Sequence, residues 1–141
     1  MSKVALQMYT LRDLSARDFA GTFRQVAEIG YRAVELASTG DLPANEMKQL
    51  LDKLSLRAVA AHESIEMLEA ELDRLCTYYS KLAIHDLVCP FMPEQRRKTA
   101  EDWCSFAQSL DQVGMQLAQR GFRLHYHNHD FELDLEQAYF E

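Results

Sequence analysis

Residues 122–133 read FRLHYHNHDFEL, and the alternation inside this stretch separates two candidate folds. Side chains of a β-strand point to opposite faces with period two, so Phe122, Leu124 and Tyr126 share one face while Arg123, His125, His127 and His129 share the other. One face is apolar, and the other is a row of imidazoles beside a guanidinium. A strand of this kind packs one side against a helical layer and turns its other side towards a polar interior.

Working outward, the same strand-and-helix unit recurs along the chain. Residues 4–9 read as a short strand; after a polar turn, Phe19, Phe23, Val26 and Ala27 follow at helical spacing, up to Gly30, a residue that favours a left-handed helix exit. A strand at 33–37 precedes a helix at 43–54, with Pro43 suited to its first turn. A strand at 56–62 precedes a helix at 65–82, for which Ser64 is the N-cap, with Met67 where a capping box wants Glu. A strand at 84–89, closed by Pro90 and Pro93, precedes a helix at 99–120 with Trp103, Phe106, Leu110, Val113 and Leu117 along its stripe. Gly114 inside that stripe costs about 1 kcal/mol relative to alanine. Gly121 ends the helix, and the fifth strand runs over 122–127.

Alternating strands and helices imply parallel strands joined by right-handed crossovers, in an open doubly wound sheet or a (β/α) barrel. Length favours the open sheet, because a complete barrel takes about 250 residues and this chain has 141. The strand faces favour the barrel. Strand one separates Val4, Leu6 and Met8 from Ala5, Gln7 and Tyr9, and strand two separates Val34 and Leu36 from Glu35. A doubly wound sheet, covered by helices on both faces, has little room for that polar set. The expectation is an α/β fold of the parallel (β/α) TIM-barrel type, truncated to about four and a half β-α units, with residues 1–141 forming one partial barrel domain.

Composition narrows the function. With 48% hydrophobic and 26% charged residues the chain resembles a soluble globular protein, and no apolar run approaches the roughly 18 residues of a membrane span. The first residues lack the apolar stretch and cleavage site of a secretory signal, so a cytoplasmic location is expected. Cys76, Cys89 and Cys104 have no CxxC spacing and are expected to be reduced. A net charge of −7 with pI near 5.2 provides no basic footprint for nucleic acid, so a small polar substrate suits the chain better.

Ligands of β-α folds bind at the carboxyl ends of the strands. Those ends offer Gln7, Tyr9, Glu35, His62, His127, His129 and Glu132. His127 and His129 lie about 7 Å apart at Cα along one strand face, a spacing from which two imidazoles can reach one divalent metal. Asp130 and Glu132 add oxygen ligands only if the chain turns after the strand. Such a nitrogen and oxygen set suits manganese, cobalt, zinc or iron better than calcium. A hydrogen-bonded histidine ladder with no metal is the alternative, and the residues alone leave both open. There is no glycine-rich phosphate loop and no GxSxG elbow. His85 and Asp86 read as structural, and Glu69, Glu71 and Asp73 as the solvated side of a helix whose core stripe includes Met67, Leu68, Leu72 and Leu75.

Four segments together carry a resemblance: VALQMYTLRD at 4–13, EIGYRAVEL at 28–36, His62 at the close of strand three, and YHNHDFE at 126–132. They resemble the sugar phosphate isomerase/epimerase family of the xylose isomerase-like TIM barrels, which stands alongside inosose dehydratase, ketose 3-epimerases and endonuclease IV. The resemblance runs along essentially the whole chain, in order. It implies a divalent metal that polarises the carbonyl of a sugar or polyol, and a carboxylate that moves the proton next to it. It further implies a catalytic Glu132, substrate contacts from Tyr9, Glu35, His62 and His129, and metal contacts from His127 and Glu132. His127 stands where many relatives carry a metal-binding glutamate.

Relatives place further Asp, His and Glu ligands at the ends of strands six to eight, beyond this sequence. The implied metal site is therefore incomplete within 141 residues, and metal binding is expected to be weak or absent. Two functions follow: an isomerase or epimerase completed by other segments, or a catalytically silent half-barrel that binds a ligand or another protein. An open half-barrel exposes unpaired edges, so a homodimer or another covering partner is expected.

Overall fold

The computed structural model describes residues 4–133. Its strands are β1 (Leu6–Gln7), β2 (Ala33–Leu36), β3 (Arg57–His62), β4 (Asp86–Cys89) and β5 (Arg123–Tyr126). All neighbours pair in parallel, in the order β1-β2-β3-β4-β5. Because each crossover steps one place in the same direction, right-handed connections put every helix on one face. A doubly wound sheet reverses its strand order once, and this one does not. The arrangement is half of a (β/α) barrel, as the strand faces predicted.

The helices are α1 (Arg12–Arg17), α2 (Phe19–Ile29), α3 (Ala44–Lys53), α4 (Ile65–Ala70), α5 (Leu72–Lys81) and α6 (Ala100–Gln119). Asp18 caps α2 by accepting from the Gly21 N–H at 2.8 Å, and Gly30 closes it in the left-handed region at φ 115°. Ser64 caps α4 as expected, accepting from the Met67 N–H. Thr99 and Asp102 form a reciprocal capping box at the start of α6. Behind the sheet these helices bury Phe23, Met47, Leu68, Phe106 and Leu117 against Val34, Leu36, Ala61, Leu87 and Cys89.

Three boundaries differ from the sequence expectation. β1 is two residues long, because a 3-10 turn begins at Met8 and leads into α1 where a plain polar turn was expected. The anchor is Met8, buried in the core while the short helix that follows has no buried residue and no apolar stripe to advertise it. The helix expected over 65–82 is split at Glu71, whose φ of −129° leaves the helical region. Strand β5 ends at Tyr126, although the His127 N–H still donates to the Cys89 carbonyl at 3.0 Å.

Face assignment follows the expected alternation in β5. Leu124 and Tyr126 lie under α6, where the Phe106 and Tyr126 rings meet edge to face at 5.8 Å. On the opposite face Arg123 and His125 both reach Asp86, which accepts from Arg123 at 2.7 and 2.6 Å and from His125 at 2.7 Å. The Arg123 guanidinium, with help from His125, holds the Asp86 carboxyl down at about 2. Asp86 is thus structural, and His85 packs its ring against Phe122.

In β3 the alternation is broken. Val34 pairs with Ala58 but Glu35 pairs with Ala60, one step on β2 against two on β3, so Val59 is an extra residue. Such a bulge reverses the phase of everything after it. Ala58 before it and Ala61 after it both face the helical core, and Ala61 is fully buried. His62, which unbroken alternation would put on the face of Ala58, turns instead to the face of Glu35.

Cys76, Cys89 and Cys104 are free thiols, the first two buried and Cys104 exposed. Burial pushes the Cys89 thiol up to about 11, which makes it a poor nucleophile. Among the described residues no helix is long and apolar enough to cross a membrane.

Candidate functional site

A cavity of about 470 Å³ opens at the carboxyl ends of the strands. Gln7, Tyr9, His62, His127 and His129, five of the residues singled out in the sequence, line it. Tyr9 reaches it from the 3-10 turn rather than from a strand and stays 55% exposed.

Glu35 stands behind His62 and does not line the cavity. Its Oε1 accepts from Gln7 Nε2 at 3.1 Å and lies 2.5 Å from His62 Nε2. The His62 side chain is only 8% exposed. A carboxylate on one ring nitrogen orients an imidazole and leaves the other nitrogen to face a ligand. Glu35 is therefore a positioning group for His62.

From His62 the rings continue along the cavity wall. His62 meets His127 edge to face at 5.9 Å; His127 stacks on His129 at 4.9 Å, and His129 stacks on Phe131 at 5.5 Å. The Arg97 guanidinium caps this column 3.5 Å from the Phe131 centroid.

Glu132 is held by Tyr126 and the His129 backbone. After β5 the chain does turn, through a 3-10 segment at Phe131–Leu133, but the turn sends the carboxylate back on itself. Its Oε1 accepts from the Tyr126 hydroxyl at 2.5 Å and its Oε2 from the His129 N–H at 2.6 Å. Burial, followed by that carboxylate, raises the Tyr126 phenol above its ordinary value.

The relative orientation of the His127 and His129 rings bears on how they could share an ion. The bonding lone pairs of an imidazole lie in the ring plane, and the planes of His127 and His129 are within 2° of parallel. Rings stacked in this way do not converge on a shared ion as rings turned towards one point would. Among the described residues no three His, Cys, Asp or Glu side chains gather closely enough to hold a metal ion.

Sequence reasoning missed Glu63. It follows His62 directly, lines the cavity, and takes the hydroxyl hydrogen bond of Tyr79, which is 1% exposed on α5. Burial raises the Glu63 carboxyl above the ordinary glutamate range, partly offset by the Tyr79 hydrogen bond and the charge of Arg74. Burial also raises the Tyr79 phenol, with the Glu63 charge adding to the effect. The signal was present in the α5 stripe Leu72, Leu75, Cys76 and Tyr79: a tyrosine on a buried stripe needs a partner for its hydroxyl.

Solved structures share this architecture. A sugar phosphate isomerase/epimerase from Parabacteroides distasonis superposes with a TM-score of 0.72 at 18% identity, over 92% of this chain and 54% of that one. The fold is that of half a (β/α) barrel. An AP endonuclease, family 2, from Brucella melitensis matches with a TM-score of 0.63 at 18% identity, over 77% of this chain and 48% of that one. A xylose isomerase domain containing protein from Salmonella typhimurium matches with a TM-score of 0.62 at 16% identity, over 86% and 47% respectively. This chain spans about half the length of each of these structures. No protein-family model matches the sequence, and no curated protein does.

Proposed function

We propose that the cavity binds a sugar or polyol and that, within a completed barrel, it serves proton transfer at the carbon next to the substrate carbonyl. The observation that carries this reading is the Gln7, Glu35 and His62 chain of hydrogen bonds, which presents an oriented imidazole to a polar cavity at the strand ends. Hydroxyl-rich ligands suit the surroundings, since Ser38, Thr39 and Ser64 line the same cavity. The net charge of −7 argues against a polyanionic substrate such as nucleic acid.

A divalent ion of the manganese, cobalt, zinc or iron kind, which the resemblance implies, needs ligands that the described residues do not gather. No step here is routed through it. Among the described residues β5 pairs on one side only, and with Arg123 and His125 lying exposed on the adjoining face it suits coverage by a second copy of the chain or by a segment of similar β-α character.

A test uses the full chain with D-fructose, D-xylulose and an inosose in deuterated water. Binding is followed by NMR shifts of the His62 ring, and exchange by loss of the substrate proton signal next to the carbonyl. Shifts confined to the cavity histidines, weakened in Glu35→Gln, together with exchange, support the reading; absence of both for every sugar removes it. The second reading is a catalytically silent binding fragment. Its signature is binding without exchange.

A further inference from the structure

Three glutamates stand near the strand ends, and their surroundings differ. Glu35 lies behind His62, and both oxygens of Glu132 are taken by Tyr126 and the His129 N–H. Among the described residues only Glu63 brings a carboxyl to the cavity wall. Its backbone is tied to the sheet, the N–H donating to the Val88 carbonyl at 2.9 Å. Its Oε1 is held by the Tyr79 hydroxyl, while its Oε2 has no hydrogen-bond partner and no cation within ion-pair distance among the described residues.

We propose that Glu63 is the proton-transferring carboxyl of this cavity, with Tyr79 as its positioning residue. The inference rests on the proton-transfer reading above and adds to it the group that performs the step. Glu63 Oε2 takes the proton as the C–H bond beside the carbonyl breaks. The electron pair of that bond becomes the C=C bond of an enediolate, and the carbonyl oxygen takes the negative charge. In an isomerisation the proton returns to the neighbouring carbon while the hydroxyl proton passes between the two oxygens, so nothing is gained or lost overall. A carboxyl for this task gains from a value nearer neutrality, the direction in which burial moves Glu63.

The groups that face this carboxyl are few. Tyr78, Tyr79 and Arg74 approach from α5, and His62, His127 and His129 line the same cavity. Tyr79 acts on Glu63 rather than on substrate. Its removal takes away a donor that stabilises the ionised carboxylate, so the Glu63 midpoint moves further up.

The test combines glutamate side-chain carbon NMR with the exchange assay, on the full chain with D-fructose, D-xylulose and the inosose as probes. One resonance is expected to titrate above the other glutamates, vanish in Glu63→Gln, rise further in Tyr79→Phe and shift when a probe binds. Exchange is expected to fall by about 100-fold or more in Glu63→Gln. In Tyr79→Phe its pH profile moves upward with the Glu63 midpoint. Exchange that survives in Glu63→Gln overturns this inference and leaves the proton-transfer reading standing. A wild-type chain that binds a probe but never exchanges removes the reading and this role together. An ordinary Glu63 midpoint, unmoved by any probe, overturns the role irrespective of turnover.

Discussion

The rings of His127 and His129 lie face to face, 4.9 Å between centroids and 2° from parallel, two residues apart at the end of the fifth strand. The spacing that suggested a shared ion has produced a stack. Stacked rings favour a metal ion taking a nitrogen from one ring rather than bridging both.

The first prediction follows from that relationship. Manganese titrated into the full chain should broaden histidine resonances without saturating at equimolar ion, and His129→Ala should leave any residual broadening at His127 in place. Metal analysis after dialysis should find no stoichiometric ion. A tight one-to-one site lost in both His127→Ala and His129→Ala would contradict the parallel arrangement.

Glu63 should leave a mark on stability as well as on chemistry. A carboxyl whose folded value is raised holds its proton more tightly in the native state, so stability falls as pH rises from the ordinary glutamate value through the raised one. Below the ordinary value the penalty is absent. Glu63→Gln should therefore flatten this alkaline-going decline, with its melting temperature gaining on wild type at pH 8 relative to pH 4. Thermal melts across that range give the comparison.

Asp86 has the opposite sign. Its carboxyl is depressed to about 2 by Arg123 and then His125, so the ion pairs stabilise the fold above the ordinary aspartate value and are lost as pH falls towards 2. Asp86→Asn should remove that acid-side loss. Because Arg123 is exposed, the difference should shrink in high salt, which melts at low and high ionic strength will reveal.

Gly114 offers a simple gain. It sits inside α6, and a Cβ added there meets Leu124 Cδ2 at 3.9 Å, an ordinary contact. Gly114→Ala should stabilise the protein by about 0.5–1 kcal/mol, read from denaturant unfolding. A loss of stability would mean that the contact with β5 is tighter than this distance.

Much of the half-barrel was legible because its signals are local. Period-two alternation in residues 122–129 separated the faces of β5, and Ser64 and Gly30 marked helix ends through their own side-chain or backbone preferences. The turn into α1 was not legible, since a short helix with no buried residue leaves no periodic trace. The division at Glu71 was equally silent, for no glycine or proline stands there.

The site divides in the same way. Residue types and strand ends were enough to nominate Tyr9, His62, His127 and His129, all of which line one cavity. Local alternation alone could not turn His62 inward, because its direction depends on Val59 standing unpaired opposite β2. Nor could it foresee Glu132 closing on Tyr126, or Glu63 meeting Tyr79 across sixteen positions of chain. Strand phase and helix caps are properties of neighbouring residues, and the sequence by itself determined them. Which carboxylate faces the cavity depends on register between strands and on packing between distant elements, so only the tertiary structure could decide it.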